Sequence, residues 1–233
     1  MAAALRTACA EALHAKEAGR IDEATKKYEA ALRLDSDCVP ALVGLGLIQF
    51  SLNRLDKAIH SFRTALRTSP TNVYAHYNLG CILHRKGQVD ETLRHYKVVL
   101  RSDFKEEDRD VVAYTHCNMG LALEVKGRAG EAIRHYRSAL AMKADCKEAF
   151  TYLGAALQKD NPDAAIPKFK SALALDEAYK PALLGLGACL EKRGTLSSAV
   201  AHYKQALGTN GTPRVRVAVS PSFLVNHERV CRG

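Results

Sequence analysis

The sequence has no tryptophan, only three methionines and seven prolines, and no apolar run near the roughly 20 residues that a membrane-spanning helix needs. That last absence rules out a helical span through a bilayer. Also missing are a C-x-x-C or H-E-x-x-H pattern, a glycine-rich phosphate loop and a nucleophile elbow. Zinc, nucleotide and acyl-transfer chemistry therefore leave no signature, and the chain reads as a non-enzyme with no cofactor and no metal. Acidic residues are fewer than basic ones, 25 against 34, so the formal net charge is +9. Such a balance permits a nucleic-acid or acidic-membrane partner without specifying one. The opening stretch MAAALRTACAEALHAKEAG is interrupted by Arg6, Glu11 and Lys16 and reads as a first folded helix rather than a signal peptide. Seven cysteines without paired spacing, in a chain with no secretion signal, point to a reducing compartment and a cytoplasmic location.

What is present is repetition. Residues 77–96, YNLGCILHRKGQVDETLRHY, and 117–136, CNMGLALEVKGRAGEAIRHY, share N-x-G, K-G and R-H-Y at the same offsets. An aromatic residue followed three positions later by a small residue and then leucine occurs six times. The six are Tyr28-Ala31-Leu32, Phe62-Ala65-Leu66, Tyr96-Val99-Leu100, Tyr136-Ala139-Leu140, Phe169-Ala172-Leu173 and Tyr203-Ala206-Leu207. The spacings between these anchors are 34, 34, 40, 33 and 34 residues. Sixteen positions before the aromatics stand Ala12, Gly46, Gly80, Gly120 and Gly187, with Gly154 one position nearer. Four before them stand Ala24, Ala58, Thr92, Ala132, Ala165 and Ala199. Small residues at both places let two helices approach closely, and the aromatic fills the space beside them. Gly19, Asn53, Gly87, Gly127 and Gly194 suit a left-handed helix terminus. Three residues on, Asp22, Asp56, Asp90, Gly130 and Ser197 suit the N-cap of a second helix. Each unit is thus predicted to be helix, tight turn, helix.

The 34-residue period and its small, large and capping positions resemble the tetratricopeptide repeat family. The resemblance covers residues 5–213 as six units, 5–38, 39–72, 73–106, 113–146, 147–179 and 180–213, with 107–112 as an insert that extends either the second helix of unit three or the loop after it. His76 and His116 depart from the pattern, standing where a large packing residue is usual, as do Thr92 and Val99 in place of alanine. The resemblance implies an all-α, right-handed superhelical solenoid of helix-turn-helix units whose first helices line a concave groove. It further implies a protein-protein interaction scaffold or adaptor, gripping an extended peptide or helix of a partner protein. The alternative is the repeat portion of a larger catalytic or assembly protein, glycosyltransferase-like or belonging to a ciliary (intraflagellar) transport complex.

In this repeat type the second, fifth, sixth, ninth and twelfth positions of a unit face the groove. Carried onto this sequence, that rule selects Tyr74, Tyr77, Asn78 and Cys81 in unit three and Tyr114, Cys117, Asn118 and Leu121 in unit four as peptide-binding residues. Leu47 and Phe50 join them from unit two and Tyr152 from unit five. Asn78 and Asn118 share the sixth position, and a carboxamide can clamp a peptide backbone through both donor and acceptor. This is similar to the asparagine ladder of the O-linked N-acetylglucosamine transferase array; the plainer expectation is a bond to local backbone. The subtype that holds the C-terminal carboxylate of chaperones places Lys, Asn, Asn, Lys and Arg where this chain has Val43, Leu47, Asn78, Tyr114 and Asn118, so no such clamp is expected.

Basic residues gather at first-helix ends, among them Lys16, Arg85, Lys86, Lys126, Lys159, Lys192 and Arg193. They complement the negative end of the helix dipole, or form a rim that steers an acidic peptide. No RNA-binding motif accompanies them, so nucleic acid is not the expected partner. His95, His135 and His202 each precede a unit aromatic, and the cysteines are expected to be structural. Residues 214–233, RVRVAVSPSFLVNHERVCRG, break the helical pattern and are expected to be a loose tail, or else to cover unit six with Val215, Val217, Val219, Phe223 and Leu224.

Overall fold

The computed structural model describes residues 2–208. The tail 214–233 and the last residues of the sixth expected unit lie outside that range. Among the described residues are twelve α-helices: α1 (Ala2–Glu17), α2 (Ile21–Leu34), α3 (Val39–Ser51), α4 (Leu55–Thr68), α5 (Val73–Arg85), α6 (Val89–Arg101), α7 (Arg109–Val125), α8 (Ala129–Met142), α9 (Lys147–Gln158), α10 (Pro162–Leu175), α11 (Lys180–Lys192) and α12 (Leu196–Leu207). No described residue is in a β-strand. The fold is all-α, a solenoid of helix-turn-helix units. The chain divides into two compact units, one ending at Val111 and the other starting at Val112. In the first, α1 packs on α2, α3 on α4 and α5 on α6; α2 and α4 then pack on the first helix of the following repeat, and α3 touches both α1 and α5. In the second, α8 packs on α9, α10 on both α9 and α11, and α11 on α12.

The turns inside the repeats follow from single residues. After α5, Gly87 sits at φ 74°, which lets the Gln88 N–H reach back to the Leu83 carbonyl at 2.9 Å. Asn53 does the same after α3 at φ 56°, with Arg54 N–H bonded to the Gln49 carbonyl at 2.8 Å. The second helices start earlier than their aspartates suggested. Their N-caps are Arg20, Arg54, Gln88, Arg128 and Thr195, none of which makes a side-chain cap bond. Asp22, Asp56 and Asp90 lie in the first helical turn. They act there through their charge near the positive helix end rather than as caps.

Packing is organised around the recurring aromatics. Tyr28, Phe62, Tyr96, Tyr136 and Phe169 are buried, as are Ala24, Ala58, Thr92, Ala132 and Ala165 four positions earlier. Thr92 keeps its hydroxyl satisfied by donating to the Gln88 carbonyl at 2.9 Å. A methyl group built on Gly46 would lie 2.8 Å from the Phe62 ring, and one on Gly154 3.0 Å from Phe169, so each ring rests directly on the glycine backbone of its own repeat. The same rings also reach forward. Tyr28 rests on Gly44 of the next repeat and Phe169 on Gly185. Tyr28 and Phe169 are therefore spacers between two successive first helices.

Residues 107–112 lie between α6, which ends at Arg101, and the body of α7. Glu106–Asp108 form one 3-10 turn, and the rest starts α7, which has 17 residues against the 13 of α5. The extra residues thus lengthen the following first helix and its approach, not α6.

Candidate functional site: the first-helix faces

The forward reach of the aromatics decides which first-helix positions stay open. The sixth position is the one under the preceding ring, as Gly44 and Gly185 show. Asn78 holds that position on α5 and is fully buried. Its Nδ2 donates to the Tyr74 carbonyl at 2.8 Å, one helical turn back, and its Oδ1 has no hydrogen-bond partner. Tyr152 holds it on α9, buried with its ring centroid 5.7 Å from that of Tyr136. Tyr77, at the fifth position, is 0% exposed and Cys117 only 2%. Leu47 and Phe50 are buried on α3.

Six of the eleven expected contact residues are thus interior: Leu47, Phe50, Tyr77, Asn78, Cys117 and Tyr152. Asn78 does not offer a carboxamide to a groove, because its side chain is closed off in the interior. Tyr74, Cys81, Tyr114, Asn118 and Leu121 remain half-exposed. On α5 the open strip is the second, ninth and twelfth positions, Tyr74, Cys81 and His84. Arg85 borders it, its guanidinium 5.4 Å above the Phe50 ring and bonded to Asn53 Oδ1 at 3.0 Å. In the second unit the strip carries Tyr114, Leu121 and Glu124 on α7, with Lys143 Nζ 5.4 Å from the Tyr114 ring. Burial pushes the Glu124 carboxyl up.

The basic helix ends are tied to the neighbouring repeat. Lys86 pairs with Asp56 at 2.9 Å, and Arg193 pairs with Asp163 at 3.3 Å, the same offset in each unit. Lys192 Nζ donates to the Gln158 carbonyl at 3.3 Å. These cations brace adjacent repeats.

The histidines that departed from the repeat pattern pair with each other. His76 Nδ1 lies 2.7 Å from His95 Nδ1, and His116 Nδ1 lies 2.9 Å from His135 Nδ1. His76 Nε2 is 2.8 Å from the Pro70 carbonyl, which can only accept, so Nε2 carries the proton and His95 Nδ1–H donates to His76 Nδ1. Burial lowers all four; His95 and His116 fall to about 4, each depressed further by its partner ring. Both pairs are therefore neutral at pH 7 and occupy packing positions. Among the described residues no group of three or more His, Cys, Asp or Glu is arranged to hold a metal ion, and no helix is long and apolar enough to cross a membrane.

Sequence reasoning missed one arrangement altogether. Cys9 Sγ lies 3.7 Å from Cys38 Sγ, and the Cys117 thiol is hydrogen-bonded to that of Cys146. Both pairs are separated by 29 residues, a signal that was present in the sequence.

Comparison with known proteins agrees with the fold. Models of the tetratricopeptide repeat family match residues 9–73 and 117–179, 61–94, and 156–218. No curated protein matches the sequence. Among solved structures, PilW, described as a widely conserved type IV pilus biogenesis factor, is 22% identical with a TM-score of 0.77, covering 86% of this chain and 91% of its own. PilF of Pseudomonas aeruginosa is 15% identical with a TM-score of 0.77, covering 89% and 93%. YrrB, a repeat protein with an unusual peptide-binding site, is 17% identical with a TM-score of 0.59, covering 77% and 90%.

Proposed function

The chain belongs to the tetratricopeptide repeat family, and on that premise we propose that it is an interaction scaffold that holds a segment of a partner protein along the open strips of its first helices. The supporting observation is a contrast of exposure on α5. Tyr77, Asn78, Leu79 and Gly80 are closed by repeat packing, whereas Tyr74, Cys81 and His84 stay half-open beside them. Tyr114 and Leu121 form the corresponding strip on α7. A half-exposed tyrosine gives a partner a large, stiff contact with a polar tip. YrrB carries a peptide-binding site on the same fold, which is compatible with this reading. We read the chain as acting without catalysis, with His76, His95, His116 and His135 paired inside the repeats. We place it in the cytoplasm, whose reducing poise keeps cysteines as thiols in the absence of a peroxide.

Site-resolved photo-crosslinking tests the reading. A benzophenone amino acid replaces Tyr74, Leu121, or the exposed second-helix residues Lys97 and Arg137. Polypeptide adducts are expected from 74 and 121, and Tyr114→Ala in the chain carrying the probe at 121 should lower recovery of that adduct about tenfold, the effect of losing one anchor worth about 1.4 kcal/mol. Equal adduct formation from 97 and 137 would move the binding face to the second helices and end the proposal.

A further inference from the structure

The two cysteine contacts are one device built twice. Cys9 lies on α1 and Cys38 is the N-cap of α3; Cys117 lies on α7 and Cys146 is the N-cap of α9. The second pair is displaced from the first by 108 residues at both members, so both occupy the same register of the repeat. Each joins one first helix to the start of the next first helix, and each belongs to a single compact unit. Elsewhere this register holds Val43 with Asn72 and Thr151 with Tyr179, so thiols are not required by the packing. All four cysteines are buried, between 1% and 5% exposed, and neither N-cap cysteine makes a cap bond.

We propose that Cys9–Cys38 and Cys117–Cys146 are oxidative modification sites, each closing to a disulfide that staples a repeat to its successor. The oxidant is a peroxide. A thiolate sulfur attacks one oxygen of hydrogen peroxide, the O–O bond breaks, and a sulfenic acid and hydroxide result. The partner thiol then attacks that sulfur; the S–S bond forms, the S–O bond breaks, and the leaving oxygen departs as water with the two released protons balanced. Two thiols and one peroxide thus give one disulfide and two waters. Because the thiols are buried, the reaction proceeds through local opening of the helix ends and is slow compared with that of an exposed cysteine.

The pairs differ in what surrounds them. The Cys146 thiol lies 3.4 Å from Glu148 Oε2, and Glu148 is itself buried. The Cys117 thiol is pushed up by its bond to Cys146, then by burial, with Glu148 adding to both. The carboxylate opposes thiolate formation, so the second pair closes after the first.

Peroxide treatment of the full chain, followed by alkylation and non-reducing peptide mapping, tests this. Of the seven thiols in the sequence, three should remain titratable under denaturing conditions at completion. The Cys9–Cys38 linkage should appear before Cys117–Cys146, and Glu148→Gln should speed the second. Each closed loop of about 30 residues should raise Tm by on the order of 10 °C, reversed by dithiothreitol. Serine is a favoured N-cap, so Cys38→Ser with Cys146→Ser keeps the fold while removing one thiol of each pair; this variant should lose the Tm rise. Sulfinic acid at these positions, disulfides that join other cysteines, or an undiminished Tm rise in the serine variant would each overturn the proposal.

Discussion

Repeats two and three lie side by side in the first unit and share the aromatic spacer and its glycine seat, yet they present different surfaces. On α3 the fifth, sixth, ninth and twelfth positions, Val43, Gly44, Leu47 and Phe50, are all buried. On α5 the fifth and sixth are buried but Cys81 and His84 at the ninth and twelfth stay half-open. Their interiors match: Phe62 on Gly46 and Ala58 in one, Tyr96 on Gly80 and Thr92 in the other. The difference shows that the repeat pattern specifies the aromatic spacer and its small seats, while the open strip is set residue by residue by what surrounds it.

If the interiors are equivalent, the two spacers should cost the same to remove. Phe62→Ala and Tyr96→Ala should each destabilise by about 3–5 kcal/mol, read from denaturant unfolding midpoints at constant slope. Both rings are buried, so each truncation leaves a void against the glycine backbone of its repeat. A large loss from one and almost none from the other would break the comparison and mean that only one repeat carries the cooperative core.

The next contrast is electrical. Where repeat two has Leu42 and Ser61, repeat three has the hydrogen-bonded His76 and His95. Glu91 at 3.9 Å, Arg63, Arg94 and the Pro70 carbonyl complete the surroundings of the pair. Folding depresses both pKa values below 6.5, that of His95 to about 4. Between about 4 and 6.5 the unfolded chain therefore binds protons that the folded chain does not. Stability is fully present above that window, and falls as pH drops through it. The double variant His76→Leu, His95→Ser installs the residues of repeat two, and its Tm should fall less steeply from pH 7 to pH 4 than that of the wild-type chain. Parallel Tm profiles would show that the imidazole pair carries no linkage.

These contrasts also mark what was legible in the sequence. Helix count and turn positions were, because Asn53 and Gly87 fill places whose positive φ few residues tolerate. The seats of the aromatics were legible because size alone decides them. The starts of the second helices were not: an aspartate near a helix start reads as a cap, although two residues further in its charge serves the same end. The open strip was half legible. Tyr74 and Tyr114 are half-exposed, but Asn78 lies buried in a position whose environment is decided by an aromatic sixteen residues before it, Phe62, and not by its own helix. The thiol pairs escaped because a 29-residue spacing belongs to no short motif and acquires meaning only when one helix start is laid beside the previous first helix.

The smallest expected effect concerns the brace between repeats two and three. Lys86 and Asp56 meet at 2.9 Å, but Asp56 is 89% exposed, so water and salt compete for both partners. Lys86→Ala should cost less than about 1 kcal/mol. The loss should shrink further at high ionic strength, since it is the Coulomb attraction that salt screens. Arg85→Ala is the useful companion, because that side chain also lies over the Phe50 ring and so removes apolar cover from α3 along with its charge. Its cost should exceed that of Lys86→Ala and persist in salt. Equal, salt-sensitive losses from the two would mean that both cations act only through charge, and that the closed face of α3 owes nothing to the arginine laid across it.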